Sequence, residues 1–416
     1  MAPASDDPTM RMLLSLTASL FVSQLAAQKV LTPEMLNTLH RVGGLTLAPD
    51  GKHLLFTVGT PDIAANKSAT KIYLLDLSDA ARKPVEVAVG RSPHWLPGGV
   101  AYAWVAKDGV VYRHLYEDGP DRVIKVSGGV SNLHWSPSGD HIAFTQSVKL
   151  DQLVTEKYPD LPEAKARAYD DLLIRHWDQW HEGAYSHLFV QPVEGGGAAM
   201  DLFPEERVHT PLMPFGGAEQ IRWSPDGKEL CYTARRVPDP EASTDSSLWV
   251  VPVAGGEHRN LTEGMPGYDQ EPRYAPDGRW IAFSSMARAS FEADRVRLML
   301  HDRKASTNRE LLPGFDASPH DVSWSADSKQ LFFTVDVEGT TQIYRTSIDK
   351  PKAVPVTTGR HRLSSIQLTP DAKTIYAMMT TTERAAEVVH IDVDSGRITM
   401  VTDVNHDAYE GMSLPV

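Results

Sequence analysis

One short run, Trp-Ser-Pro-Asp-Gly or a close variant, recurs seven times along this chain and each time leads into an apolar stretch. The clearest copies are Trp223-Ser224-Pro225-Asp226-Gly227 and Tyr274-Ala275-Pro276-Asp277-Gly278. The seven centres are Pro49, Pro97, Pro137, Pro225, Pro276, Ala326 and Pro370. Neighbouring centres lie 40 to 51 residues apart, apart from an interval of 88 between Pro137 and Pro225, which reads as one repeat with an insertion. A fixed motif at such a period marks an array of similar supersecondary units. In each run proline pre-sets φ for a tight turn, aspartate suits the next position, and glycine supplies the left-handed geometry from which a strand can leave.

Five residues beyond the proline position stands an aliphatic residue, usually followed two later by an aromatic one: Leu54/Phe56, Ile142/Phe144, Leu230/Tyr232, Ile281/Phe283 and Leu331/Phe333. The last copy has Ile375/Ala377, and the second reads two residues shorter, with Val100/Tyr102. Spacing of two puts each pair on one face of a strand. A second alternating hairpin follows each turn, opening for example with Ile72-Tyr73-Leu74-Leu75 or Leu248-Trp249-Val250-Val251. Each repeat is therefore expected to hold four strands. One such sheet cannot bury both faces, whereas seven arranged radially can. The expected fold is all-β, a seven-bladed β-propeller of four-stranded blades over residues 45–403. The competing reading is a β-sandwich with coincidental turns.

At 416 residues the chain exceeds the usual limit for one hydrophobic core. A propeller escapes that limit because each blade packs only on its neighbours. The net charge of −13 comes without a basic stripe or interleaved aromatics, which argues against nucleic-acid binding. The single cysteine, Cys231, falls on an expected blade strand and reads as a buried structural thiol. Near the N-terminus, Met10-Arg11 precedes an apolar stretch from Met12 to Val22 and then Ser23-Gln24-Leu25-Ala26-Ala27. This order is expected of a secretory signal, too short to span a membrane, and it points to a secreted or periplasmic protein. Residues 1–28 are thus tail plus signal. Residues 29–44 are expected to hold a leader helix, with Thr32 as N-cap, Pro33 as first helical residue and Gly43-Gly44 as its stop.

The insertion, about residues 148–185, is expected to carry a helix from Asp160 to Arg175, with Leu161, Ala164, Ala168 and Leu172 along one side. After it comes Arg175-His176-Trp177-Asp178-Gln179-Trp180-His181-Glu182. Binding residues concentrate on loops carried by rigid scaffolds. Three readings stay open. The indoles of Trp177 and Trp180 plug the insertion onto the propeller rim; or Glu182 or Asp178 meets a cationic group, with Trp177, Trp180 and His181 around it; or His176, His181 and Glu182 hold a metal, although this spacing matches no closed zinc pattern.

No Gly-x-Ser-x-Gly elbow, phosphate-binding loop, dinucleotide glycine pattern, His-Glu-x-x-His or paired-cysteine site occurs. From its own residues the chain reads as non-catalytic and without a cofactor. The blade turns, the leader Leu31-Thr32-Pro33-Glu34-Met35, and the insertion Arg175–Trp180 ahead of Ser186-His187-Leu188-Phe189-Val190 together resemble the N-terminal propeller of the prolyl oligopeptidase family of serine peptidases. The branch most resembled is that of dipeptidyl-peptidase V and the acylaminoacyl peptidases, and the resemblance runs from Val30 to the C-terminus. It implies a partner α/β-hydrolase domain that brings the catalytic triad, with residues 404–416 as the connection toward it. It also implies short peptides as substrates of the whole enzyme. In related dipeptidyl peptidases acidic residues on a propeller insertion bind the substrate's amino terminus; Glu182 and Asp178 lie in a comparable place. A free-standing, TolB-like binding propeller is the alternative.

Overall fold

The structure is a computed structural model that describes residues 30–412 apart from 80–82, 108, 118 and 171. The expected signal segment and the C-terminal residues Ser413 and Leu414 lie outside the described residues. The chain is nearly all β. Five four-stranded antiparallel sheets follow one another in sequence, and the last two four-strand sets join into one eight-stranded sheet through a parallel bridge between Thr341 and Arg362. The opening strands of these sets are Arg41–Leu47, Arg91–Trp95, Ser131–Trp135, Ile221–Trp223, Asp269–Tyr274, Pro319–Trp324 and Arg362–Leu368. Each touches the opening strands before and after it, and Arg362–Leu368 touches Arg41–Leu47, so these strands form a closed ring.

All seven turns share two backbone features. The N–H of Ala48, Leu96, Ser136, Ser224, Ala275, Ser325 or Thr369 donates to the carbonyl five residues on, at 2.8–2.9 Å. The fourth turn residue has positive φ in every copy: Gly51, Gly99, Gly139, Gly227, Gly278, Ser328 and Ala372. The second copy is therefore not shorter, as its sequence suggests. Gly98 and Gly99 both take positive φ, so Val100 sits in the turn, 51% exposed, and the buried pair is Tyr102 and Trp104. In the other six copies the expected pairs are fully buried.

Cores form between successive sheets. One joins Ala143 and Leu188 to Ile221, Leu230 and Tyr232 of the next set. Another joins Val42, Leu54 and Phe56 of the first set to Tyr376 and Val388 of the last. Burial of each such side chain contributes about 1.5–3 kcal/mol, so the apolar surface that a lone sheet would expose becomes the cement of the ring. Cys231 is fully buried in one of these layers, and burial pushes its thiol far above the usual range.

Two helix expectations need correction. Thr32 does cap a helix, its Oγ1 accepting from the Met35 N–H, but Pro33–Thr38 is short, and Gly43 and Gly44 lie inside the strand Arg41–Leu47. In the insertion, the described residues of 160–174 are turns, bends and coil, and Arg175 opens a short strand; the helical part is the single turn Val154–Lys157. Pro159 and Pro162 punctuate the start of the expected helix and disfavour helical geometry just before them. Leu161 and Leu172 stay exposed, so no apolar face is buried to hold a short isolated helix together.

Candidate functional site

Strand alternation fixes which loops share a face. The Pro-Asp-Gly turns end the opening strands on one face. The links entering each opening strand, the loops between second and third strands, and both ends of the described chain lie on the other. The insertion rises from this second face, between His141–Lys149 and Ala184–Pro192.

Its tip is a two-residue hairpin pairing Arg175-His176 with Gln179-Trp180. Trp177 and Asp178 form the turn, Trp177 with φ of 49°. Trp177 is 68% exposed and packs on Phe215, 77% exposed, with ring centroids 5.5 Å apart. Trp180 is half-covered by the Arg167 guanidinium, 5.0 Å from the ring centroid, and faces Arg175 at 5.8 Å. Glu182 is paired with Arg167 at 2.8 Å, both groups partly exposed. His181 packs edge-on against Tyr185, and its carbonyl accepts from the Tyr169 hydroxyl at 3.0 Å. The structure thus brings Trp180 and Glu182 together around Arg167, whereas Asp178 stands exposed at the hairpin tip. Among the described residues no group of three His, Cys, Asp or Glu side chains is arranged to hold a metal.

A second constellation lines the axis of the ring, and the sequence reading did not single it out. Six opening strands carry a bulge near the insertion face, and its first residue has positive φ each time: Gly44, Ser92, Asn132, Glu271, Asp321 and Ser365. A bulge re-aims side chains and adds twist. Two residues further along stand Thr46, His94, His134, Arg273, Ser323 and Gln367, and the strand Ile221–Trp223, whose described register has no bulge, supplies Arg222; each lies three residues before a turn's proline position. At this level, therefore, sheets two to five supply two imidazoles and two guanidiniums.

These side chains converge on the axis. His94 and His134 lie 6.4 Å apart, ring to ring. His94 feels the charge of Arg222, two sheets away, and His134 that of Arg273, also two sheets away. Burial, then the nearby guanidinium, holds His94 down at about 4, and His134 is depressed well below its usual range for the same reasons. Both rings are therefore neutral at neutral pH. Arg222 donates to the carbonyls of Ala218 and Ile221, and Arg273 to those of Glu219 and Pro272. Burial, followed for Arg222 by repulsion from Arg273, lowers both guanidiniums. On the insertion side, burial raises the carboxyls of Glu271 and Asp321, partly offset by Arg273 and, for Asp321, by the Ile366 N–H at 2.8 Å. The channel is thus acidic toward the insertion face and cationic deeper in. A cavity of about 300 Å³ opens beside the acidic level, lined by His320, Asp321, Asp336, Thr341, Arg362 and Ser364 among others.

Residues 222–413 match the TolB beta propeller domain family. The chain is 31% identical over 395 residues to a dipeptidyl-peptidase 5 of Porphyromonas endodontalis, which covers 92% of this chain and 56% of that protein. The chain belongs to the prolyl oligopeptidase family of peptidases. Its propeller superposes on an acylaminoacyl peptidase in complex with Z-Gly-Gly-Phe-chloromethyl ketone with a TM-score of 0.70 at 13% identity, covering 91% of this chain and 55% of that one. It also superposes on the β-propeller domain of the trilobed protease from Pyrococcus furiosus, with a TM-score of 0.57 at 14% identity, covering 87% and 98%. The propeller spans about half the length of the curated relatives it matches. Among the described residues no helix is long and apolar enough to cross a membrane.

Proposed function

We propose that this chain is the substrate-gating, seven-bladed propeller of a secreted or periplasmic serine exopeptidase, with the catalytic triad on an α/β-hydrolase domain outside these residues. The similarity to a dipeptidyl-peptidase 5 over 92% of the chain carries the reading. The topology agrees with it. Both ends of the described chain and the insertion share one face, so a domain joined to either end would dock where the insertion and the acidic mouth of the channel meet it. Short peptides would reach the triad through the channel or past the insertion, and larger substrates would be excluded. The Trp177–Phe215 pair would cover part of that junction. Glu182 and Asp178, with Trp177, Trp180 and His181 as walls, would face the amino terminus of the substrate. Because Glu182 is already paired with Arg167, it would have to exchange that partner to hold an amine.

The reading is tested on the full-length polypeptide encoded by the gene. It should carry a Gly-x-Ser-x-Gly elbow beyond Val416 and hydrolyse dipeptidyl-naphthylamides, while the 416-residue chain alone should turn over none. In the full-length protein Glu182→Gln should raise KM for substrates with a free amino terminus severalfold, with little change in kcat. An unchanged KM removes Glu182 from the site, and a gene without a hydrolase domain overturns the whole reading in favour of a free-standing binding propeller.

A further inference from the structure

The channel holds two guanidiniums at one level, whose charge Glu219, Glu271 and Asp321 favour through space without pairing directly with either. Among the described residues neither Arg222 nor Arg273 reaches an Asp or Glu oxygen within salt-bridge distance; the hydrogen bonds they make go to backbone carbonyls. Elsewhere Arg113, Arg236, Arg288, Arg295 and Arg303 each pair with a carboxylate. Two like charges held close in a confined channel repel, and the depression of the Arg222 guanidinium by Arg273 expresses that repulsion. Backbone carbonyls fix the Nη1 atoms and so aim each guanidinium, leaving other N–H donors for the lumen. His94 lines the wall beside them as a neutral ring that adds no further repulsion, while the single N–H of neutral His134 is held by the Ala218 carbonyl at 2.8 Å. The chain as a whole carries −13, so this cationic level is a local construction and not a reflection of overall charge.

We propose that Arg222 and Arg273, with His94 and His134 beside them, form a carboxylate-binding site within the channel. Its ligand is the C-terminal carboxylate of a short peptide. A guanidinium presents paired donors that match a carboxylate, and two of them gain from neutralisation what they lose to mutual repulsion when the channel is empty. Glu271 and Asp321, one level toward the insertion face, disfavour an anion there and so fix the depth at which it rests. The order of charge along the axis also suits a zwitterion, with its carboxylate deep and its amine toward the acidic mouth. The assignment to a peptide rests on the peptidase reading; the anion site itself does not.

The test is isothermal titration of the chain with acetyl-Gly-Gly-Gly, its C-terminal amide and inorganic phosphate, at low ionic strength. The acid should bind at least roughly tenfold more tightly than the amide, and Arg222→Gln/Arg273→Gln should abolish the difference. Arg222→Lys, which keeps the charge, should retain most of it. Should the glutamine variant fail to fold, the side-chain resonances of His94 and His134 in the unmodified chain provide the second readout. They should shift with the acid and not with the amide. Equal affinity for acid and amide, or histidine signals that ignore the acid, overturns the site; binding of phosphate without the acid overturns the peptide carboxylate as its ligand. A full-length protein that hydrolyses dipeptidyl substrates while this chain ignores acetyl-Gly-Gly-Gly would refute the site and leave the peptidase reading standing.

Discussion

Ser328 and Ala372 occupy turn positions that glycine fills in the other five copies, at φ of 60° and 56°. A side chain with a Cβ in the left-handed region costs about 1 kcal/mol relative to glycine. The backbone hydrogen bonds of these two turns match those of the glycine copies, so their backbones differ from those copies by strain and not by bonding. Ala372→Gly should therefore stabilise the chain by about 0.5–1 kcal/mol, read as a higher urea midpoint at constant m-value. Ser328→Gly should gain less, because the Ser328 hydroxyl accepts from the Asp277 N–H at 3.0 Å across the neighbouring turn and that bond would be lost. A lower midpoint for Ala372→Gly would mean that the alanine methyl, packed with Ile375 and Ile391, outweighs the strain. At this scale the turn was legible in the sequence except in the second copy, where paired glycines hid the register of Tyr102 and Trp104. The channel was legible in position only: counting three residues back from each proline position finds His94, His134, Arg222 and Arg273. What no count reveals is that these side chains meet, since that depends on ring closure across sheets far apart in the chain.

The opening strand Asp269–Tyr274 begins with a carboxylate that has no exposure to solvent. Neither oxygen of Asp269 completes a hydrogen bond of good geometry, although Ser285, Thr262 and Arg297 offset part of the desolvation. Burial raises its carboxyl to about 7. A carboxyl whose folded value lies above its unfolded one favours folding below the unfolded value. That contribution fades as pH rises through the folded one, here from about 4 to about 7. Asp269→Asn, which cannot ionise, should therefore stabilise the chain at pH 8 and differ little from the original at pH 4. Thermal melts across that range check it, and a constant offset at all pH values would remove ionisation as the cause. The insertion shows where reading elements from sequence stops. Its alanines and leucines have helical spacing, but helix formation in so short a segment depends on a buried face, and Leu161 and Leu172 have none. The aromatic-rich hairpin after it was visible as composition. Its turn at Trp177-Asp178, and the Arg167 clamp on Trp180 and Glu182, were not, because they arise from contacts across the loop.

Among the described residues the ring closes without a strand shared between its first and last four-strand sets. The first set consists of consecutive strands from Arg41 onward and the last of consecutive strands up to Met400, so the seam between them is held by side chains. Val42 and Phe56 pack with Tyr376 and Val388, and Gln367 accepts from the Leu47 N–H at 3.3 Å. The most specific link is Asn405. Its buried amide accepts from the His40 N–H at 2.8 Å and donates to the His40 carbonyl at 3.1 Å, tying the segment after the last strand to the one before the first. Removing both bonds strands two backbone groups in a protected seam, at a cost of about 1–3 kcal/mol each where water does not replace the partner. Asn405→Ala should therefore destabilise the chain by about 2 kcal/mol or more. In an array whose units contact only their neighbours, the loss should appear first at the seam. Amide exchange should accelerate in Arg41–Leu47 and Arg362–Leu368 while Ile221–Trp223 and Asp269–Tyr274 stay protected. Asn405→Asp, which keeps an acceptor for the His40 N–H and loses the donor, should fall between the two. Equal acceleration in all the opening strands would mean that the ring unfolds as one unit and that Asn405 is not a local clasp.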